Sequence, residues 1–370
     1  MITIVPVTNE KEKLRFIKSQ WNFYHGDPYF VPPLIMDRKK LLDQKKNPFY
    51  THAQMQLWMA EENGEIVGRI GAIVNDNHNK THNDKVGFFG FFECSNRQDV
   101  AKMLLDTAKV WLKQRGMDTM RGPANPSMND ETGLLVDGFD DSPRILMTYN
   151  PRYYANLLEK YGLKKSKDLW AWKIRRDTVI TPKLERVARL VEERSKVTLR
   201  CVNMKNLKSE LALVKDIYNK AWEKNWGFVP MTNEEIDFIA NDLKSIVNPK
   251  YVYFAEKDGK TVGFSLTLPD VNQVLRSNKK GHLLPAIPKL LFGLKKVTWS
   301  RIVILGVLPE YRHIGIDALM YYHTAIDCGN AGITAGEASW VLEDNIMMNR
   351  AAELMNAEKY KTYRMYDMAV

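Results

Sequence analysis

The sequence predicts an α/β (α+β) protein in which a mixed, mostly antiparallel sheet flanked by helices is built twice along one chain. Two pairs of matching segments and one helix carry that reading. Residues 60–68, AEENGEIVG, and 255–263, AEKDGKTVG, each follow a strand-like run (QLWM and YVYF). Both turn at Asn-Gly or Asp-Gly and continue through Val-Gly into a second strand, so a β-hairpin is written twice. Asn150 opens NPRYYANLLEKYG and Asn349 opens NRAAELMNAEKYK, with Glu-Lys-Tyr at the same offset from each asparagine. Each reads as a short helix leading into a closing strand. The two matches keep their order and nearly their spacing (255 − 60 = 195 and 349 − 150 = 199), as two copies of one fold would. Leu184, Val187, Leu190 and Val191 then recur at helical spacing behind Pro182, so a helix opens the second copy. The boundary is expected near residue 177, giving domains 1–177 and 178–370.

Within each copy the order is helix, hairpin, strand, helix, strand, helix and closing strand. In the second copy the strand after the hairpin is SRIVILGV, residues 300–307, and the long helix is 316–332. TAGEASWVL, residues 334–342, follows as an alternating strand. Gly336, Ala338, Trp340 and Leu342 are expected on one face, with Glu337, Ser339, Val341 and then Glu343 on the other.

Composition narrows the class. A chain of 370 residues, 45% hydrophobic and 26% charged, is that of a folded protein with more than one core. No segment approaches the ~20 apolar residues of a transmembrane helix. MITIVPVTNEKEKLRF has one short apolar run before it turns charged, so no secretory leader is expected. Cys94, Cys201 and Cys328 are few and far apart, which suggests reduced thiols and a cytoplasmic location. The net charge of +10 favours acidic partners. The aromatic residues do not interleave with basic ones as in a nucleic-acid-binding module, and no Walker loop, zinc spacing or Ser-His-Asp arrangement occurs. His78 and His82 are four apart, but NDNHNKTHND reads as a polar loop rather than a metal site.

The most informative stretch is 307–317, VLPEYRHIGID. A strand end, a glycine-containing loop and a helix start bring backbone N–H groups together as an anion cradle, with Arg312 and His313 as charge. Asp317 is compatible with such a cradle as the helix N-cap, its carboxylate bonding amides of its own first turn. A plain strand-to-helix loop is the structural alternative.

With the order of elements around it, this stretch resembles the GNAT superfamily of acyl-CoA-dependent N-acyltransferases. In that family a Gln/Arg-x-x-Gly-x-Gly/Ala loop binds the CoA diphosphate. Arg312 and Gly315 match it and Asp317 departs. The resemblance implies acetyl-CoA or a longer acyl-CoA as donor, no metal, and a CoA site of Val307, Leu308, Arg312, His313, Ile314, Gly315, Ile316, Asp317, Asn345 and Asn349. It also implies that backbone N–H groups at Val307 and Leu308 lie beside the thioester. Asn356 stands where the family often has a general-acid tyrosine. The first copy lacks the loop glycine, since GFFGFFEC runs into SNRQDVAKM, as in tandem members with a degenerate first domain. GPANPSMNDETGLLVDGF and YKTYRMYD further resemble the bacterial long-chain-base N-acyltransferases that act as ceramide synthases.

Acyl transfer to an amine needs a base, and Glu337 and Glu343 are the candidates. Six residues of strand separate them by roughly 20 Å, so they cannot serve one atom. Glu337 is expected as the base, and Glu343 as part of the acceptor pocket or as part of a solvated strand face. In the first copy, RGPANPSMNDETG offers Asn125, Asn129 and Glu131 toward the acceptor, with a structural loop as the alternative. Residues 273–301 carry seven Lys or Arg and no acidic residue around LLPAIPKLLFGL. Such a segment fits either a surface touching anionic lipid headgroups or a helix packed on its own domain, with Pro285 and Pro288 excluding one long regular helix. The expected partners are acyl-CoA and a primary amine, an amphipathic one if the basic segment meets lipid. An acyl-CoA-binding module without turnover, or an acetyltransferase for a small polar amine or peptide, are the other readings.

Overall fold

A computed structural model describes residues 1–370. The chain forms two compact units: Met1–Leu169 with Leu275–Pro288 and Lys361–Val370, and Trp170–Val274 with Lys289–Tyr360. Both have the mixed, mostly antiparallel sheet and flanking helices that the sequence predicts.

In the first unit the strands are β1 (Ile2–Pro6), β2 (Ala53–Glu62), β3 (Glu65–Asn75), β4 (Val86–Cys94), β5 (Thr119–Gly122), β6 (Ala124–Asn125), β7 (Glu131–Thr132) and β8 (Leu134–Asp137). β9 (Lys164–Arg175) carries the chain from the first unit into the second. The second unit holds β10 (Val197–Cys201), β11 (Val252–Lys257), β12 (Lys260–Pro269), β13 (Trp299–Val307) and β14 (Ala335–Leu342). The closing strand β15 (Glu358–Ala369) contributes Lys361 onward to the first unit, where Tyr366 stands opposite Gly122 of β5.

Both predicted hairpins form, and their turns show why those residues stand there. Asn63 and Gly64 have φ of 53° and 85°, and Asp258 and Gly259 have 50° and 75°. Two consecutive left-handed residues make the turn that matches strand twist, and Asn-Gly and Asp-Gly tolerate it best. In the first unit the helix Gln98–Lys113 lays Leu104, Leu105, Ala108 and Leu112 onto Ile70, Ala72 and Phe89 of the sheet. In the second, Ala188 and Val191 of the helix Pro182–Ser195 share a core with Ile316, Leu319 and Met320 of the helix Ile316–Asn330. Another cluster joins Ile217 and Ala221 of the helix Leu207–Ala221 to Phe254 and Phe264. Thr181 caps the helix behind Pro182, its hydroxyl accepting from the Leu184 amide at 3.1 Å.

Three local expectations change. Residues 76–82, read as loop, form a helix because Asn75 caps its start and Asn83, in the left-handed region, ends it. The two prolines do not prevent the helix Leu283–Gly293, which contains Pro288; Pro285 lies in its first turn, where no amide partner is lost. The strict alternation of β14 fails in its middle. Ala338 and Val341, expected on opposite faces, lie in one apolar cluster.

Candidate active site

The site begins where two parallel strands part. β13 and β14 share register from Trp299 opposite Ala335 to Ile302 opposite Ala338, yet β13 runs on to Val307. Against β12, Leu266 pairs with Ile304 and Thr267 with Ile302, so Val303 is an extra residue. Such a bulge bends a strand and ends pairing, here directly after the last rung shared with β14. Beyond it, the Leu308 amide donates to the Val262 carbonyl at 2.9 Å. Successive residues of a strand direct their N–H and C=O groups to opposite edges, so Val307 and Leu305 direct theirs toward the β14 side. The Val307 carbonyl accepts there from Arg312 Nε at 3.2 Å. Leu308, expected beside a thioester, has its amide engaged by Val262, whereas the Leu305 amide points the same way as that of Val307.

The loop that follows is tighter than a plain turn. Pro309–Ile314 forms a 3₁₀ segment, and Gly315, at φ 90°, starts the helix Ile316–Asn330. Gly315 is its N-cap, in place of Asp317. Asp317 lies in the first turn, where burial raises its carboxyl above the usual range and the amides of Asp317 and Ala318 hold it back. One turn on, burial pushes the Tyr321 phenol far up, with Asp317 adding to it, so Tyr321 is a poor proton donor. His313 is exposed, Ile314 half-buried and Ile316 buried. Arg312 is exposed, and its guanidinium bonds the carbonyls of Val307 and Ala221.

Glu337 is fully buried, at 0% exposure. In the parallel register it stands opposite Arg301, one rung before the strands part. Its carboxylate accepts from Ser339 Oγ and from the Tyr360 hydroxyl, and Arg301 Nε lies 3.7 Å away. Arg301 also donates to Ser339 Oγ at 2.8 Å and to the Ser339 carbonyl at 2.9 Å. Its oxygens thus meet hydrogen-bond donors inside the core, as a buried polar group requires. Tyr360 is half-buried and is the member of the group nearest solvent. From Ile302 to Leu305 is about 10 Å of strand, so Glu337 does not touch the edge at Leu305.

Asn345 and Asn349 secure the turn after β14. Asn345 caps the helix Ile346–Leu354, accepting from the Met348 amide at 3.2 Å. Asn349 Nδ2 donates to the carbonyls of Leu342 at 3.1 Å and Glu343 at 3.2 Å, while its Oδ1 accepts from Trp172 Nε1 at 3.1 Å. Glu343 lies in that turn, half-buried and beyond the end of β14. Asn356, in the left-handed region, ends this helix and donates to the Thr178 carbonyl at 3.2 Å, so its side chain supplies no phenol.

The first-copy candidates are held by their own unit. Asn125 Oδ1 accepts from the Phe91 amide at 2.5 Å, and Glu131 pairs with Arg38 at 2.7 Å. Asn129 lies in the turn between β6 and β7, its amide donating to Ser127 Oγ at 3.1 Å. Sequence reasoning missed Leu305, Arg301, Ser339 and Tyr360. Aligning the starts of the two parallel strands would have put Arg301 opposite Glu337; nothing local marks Tyr360.

Two units, each with a hairpin, a bulged strand parting from a parallel neighbour, and a helix behind it, define a tandem GNAT fold. A tandem GNAT protein from the clavulanic acid biosynthesis pathway shares this fold, with a TM-score of 0.59 over 100% of this chain and 98% of its own, at 12% identity. No family model matches the sequence. Two curated proteins are much closer in sequence. Protein YghO of Escherichia coli (strain K12) is 35% identical over 370 residues, 98% of this chain and 94% of its own. The bacterial ceramide synthase of Caulobacter vibrioides is 35% identical over 379 aligned positions, 100% of this chain and 98% of its own. The chain belongs to the family of these two proteins.

Proposed function

We propose that the chain moves an acyl group from acyl-CoA to a primary amine, and that the acceptor is amphipathic, such as a long-chain base. The observation that carries the transfer is the parting of β13 from β14, which directs the Leu305 and Val307 amides to an open edge. A thioester carbonyl seated there meets backbone donors where its oxygen gains charge. The loop from Arg312 to Asp317 is read as the cradle for the CoA diphosphate. Arg312 turns from the carbonyls of Val307 and Ala221 to the anion, and Gly315 keeps the loop backbone close. Val307, His313, Ile314 and Ile316 line the same path, and Asn345 and Asn349 fix the turn beside it.

The amine must lose a proton before its lone pair attacks the carbonyl carbon. The C–S bond then breaks, and the CoA thiolate takes a proton. Glu337 is read as the group that draws the proton, through Tyr360 or a water, while Glu343 borders the acceptor. The functional halves are taken as 1–177 and 178–370, with the transfer assigned to the second. The name of the Caulobacter relative supports a lipid amine, and the basic segment 273–301 supports delivery from the cytoplasmic face of a membrane. A second reading, acyl-CoA binding without turnover, is favoured by Asn356 at the tyrosine place.

Thiol release from acetyl-, octanoyl- and palmitoyl-CoA, with and without sphinganine, separates these readings. Release that depends on sphinganine supports the proposal. CoA binding with no release under any amine supports the binding module. Release with a small polar amine alone removes the amphipathic acceptor.

A further inference from the structure

The helix Leu283–Gly293 turns its apolar side outward. Leu284 is 81% exposed, Ile287 42%, Leu291 67% and Phe292 77%. At 100° per residue these four and Pro288 span an arc of about 140°, while Ala286, on the far side, is fully buried. A helix whose core-facing residue is an alanine, and whose leucines and phenylalanine face water, is reversed from the usual arrangement. Exposed apolar faces of this kind mark interaction surfaces.

The surrounding charge identifies what covers it. No Asp or Glu occurs between Asp270 and Glu310. Arg276, Lys279, Lys280, Lys295 and Lys296 are exposed on either side of the apolar face, and Lys289, half-buried, lies within the helix. The seventh basic residue of the segment, Arg301, is buried against Ser339 and takes no part. A second copy of the chain set face to face would bring two such sets of cations together, which like-charge repulsion opposes. An apolar face ringed by cations instead matches a lipid surface with anionic headgroups: the side chains enter the acyl boundary and the lysines stay at the phosphates. No helix of the structure is long and apolar enough to cross a membrane, so the contact is one of lying on the surface.

We propose that the helix Leu283–Gly293, with its flanking lysines, docks the protein on an anionic bilayer. The proposal stands whether or not the acceptor is a lipid amine. The test is sedimentation of the full chain with vesicles of phosphatidylcholine, with and without phosphatidylglycerol. The parent is expected to bind the mixed vesicles and to stay in solution with phosphatidylcholine alone. Leu284→Ser, Leu291→Ser and Phe292→Ser together remove exposed side chains only. They are expected to weaken binding about 100-fold with an unchanged melting temperature and unchanged thiol release toward a short soluble amine. Lys295→Glu with Lys296→Glu is expected to weaken binding by at least roughly fivefold per lysine, with a shallower salt dependence. A parent that binds neither vesicle, or a triple serine variant that binds as well as the parent, overturns the proposal. So does a parent dimer that the triple variant dissociates while neither protein binds vesicles. Because the soluble-amine assay is separate, failure here leaves acyl transfer standing, and failure there leaves docking standing.

Discussion

The two units contain the same parting of parallel strands, and they treat it differently. In the first, β4 pairs with β5 only from Val86 opposite Thr119 to Phe88 opposite Arg121. Its ladder with β3 slips between Arg69 and Gly71, because β4 carries one extra residue near Phe91. That is the arrangement of β13 and β14, bulge included. In the first unit, however, the chain fills the opening itself. The Phe91 amide bonds Asn125, and a Cβ on Gly90 would sit 1.8 Å from the Ala124 carbonyl. The polar end of β4 is also consumed: Glu93 is buried between Arg69, Tyr24 and Tyr154. In the second unit the corresponding edge meets the exposed side chain of Arg312, which bonds the Val307 carbonyl. One backbone device thus yields a packed core or a candidate site, according to what lies against its unpaired edge.

The sharpest way to break this contrast is to damage the second unit's loop. Arg312→Ala with Gly315→Glu removes a cation and forces a side chain onto a residue at φ 90°. Calorimetry is expected to show acyl-CoA affinity lost by more than about 100-fold while circular dichroism stays native. Unchanged affinity would place the donor elsewhere and end the comparison.

A second test compares Glu337 with Glu93, a buried glutamate of each unit. Glu337→Gln is expected to lower turnover by about 100-fold with little change in acyl-CoA affinity, and less severely as pH rises and the free amine becomes more abundant. Tyr360→Phe should move turnover in the same direction. Glu93→Gln should leave turnover per folded molecule intact; if it mimics Glu337→Gln, the first unit is a working site.

Filling by Asn125 has a thermodynamic signature. Asn125→Ala leaves the Phe91 amide without its acceptor, at an expected cost of about 1–3 kcal/mol in urea unfolding, with KM for the amine unchanged. A raised KM with no loss of stability would instead make Asn125 an acceptor-binding residue.

The last effect appears only in acid and leaves neutral pH untouched. Burial depresses the His78 imidazole to about 3, with the neighbouring charges of His82 and Arg121 adding to the shift. An unfolded histidine titrates near 6.5, so His78 costs the fold nothing above that value. Below it, the unfolded chain takes up a proton that the folded one refuses, and stability falls by up to ~1.4 kcal/mol per pH unit until pH approaches 3. His78→Phe should flatten the stability curve between pH 6.5 and 3, measured by denaturant midpoint. An unchanged slope would show that His78 is charged in the fold.

Much of this was legible locally. Asn63-Gly64 and Asp258-Gly259 make turns by the φ values they tolerate, and Thr181-Pro182 starts a helix by capping chemistry. The strand–loop–helix around Gly315 follows from one glycine and one apolar period. The candidate site was legible only in part, because its further members are brought together across long stretches of chain. Arg301 reaches Glu337 through strand register, and Tyr360 comes from the next strand, beyond the helix Ile346–Leu354. Glu337 itself was visible, whereas its burial among three partners was not.

The sequence by itself determined two hairpins, two closing helices and a glycine loop, since each depends on sterics and hydrogen bonds within a few residues. It also set the apolar and basic character of residues 273–301, which is composition alone. Tertiary structure decided that Lys361–Val370 completes the first unit's sheet, that Asn125 stops the Phe91 amide, and that the helix at 283–293 turns its leucines outward. Those outcomes depend on which distant segments pair and in what register. A shift of one residue in a strand exchanges its two faces, and no local preference can fix that choice.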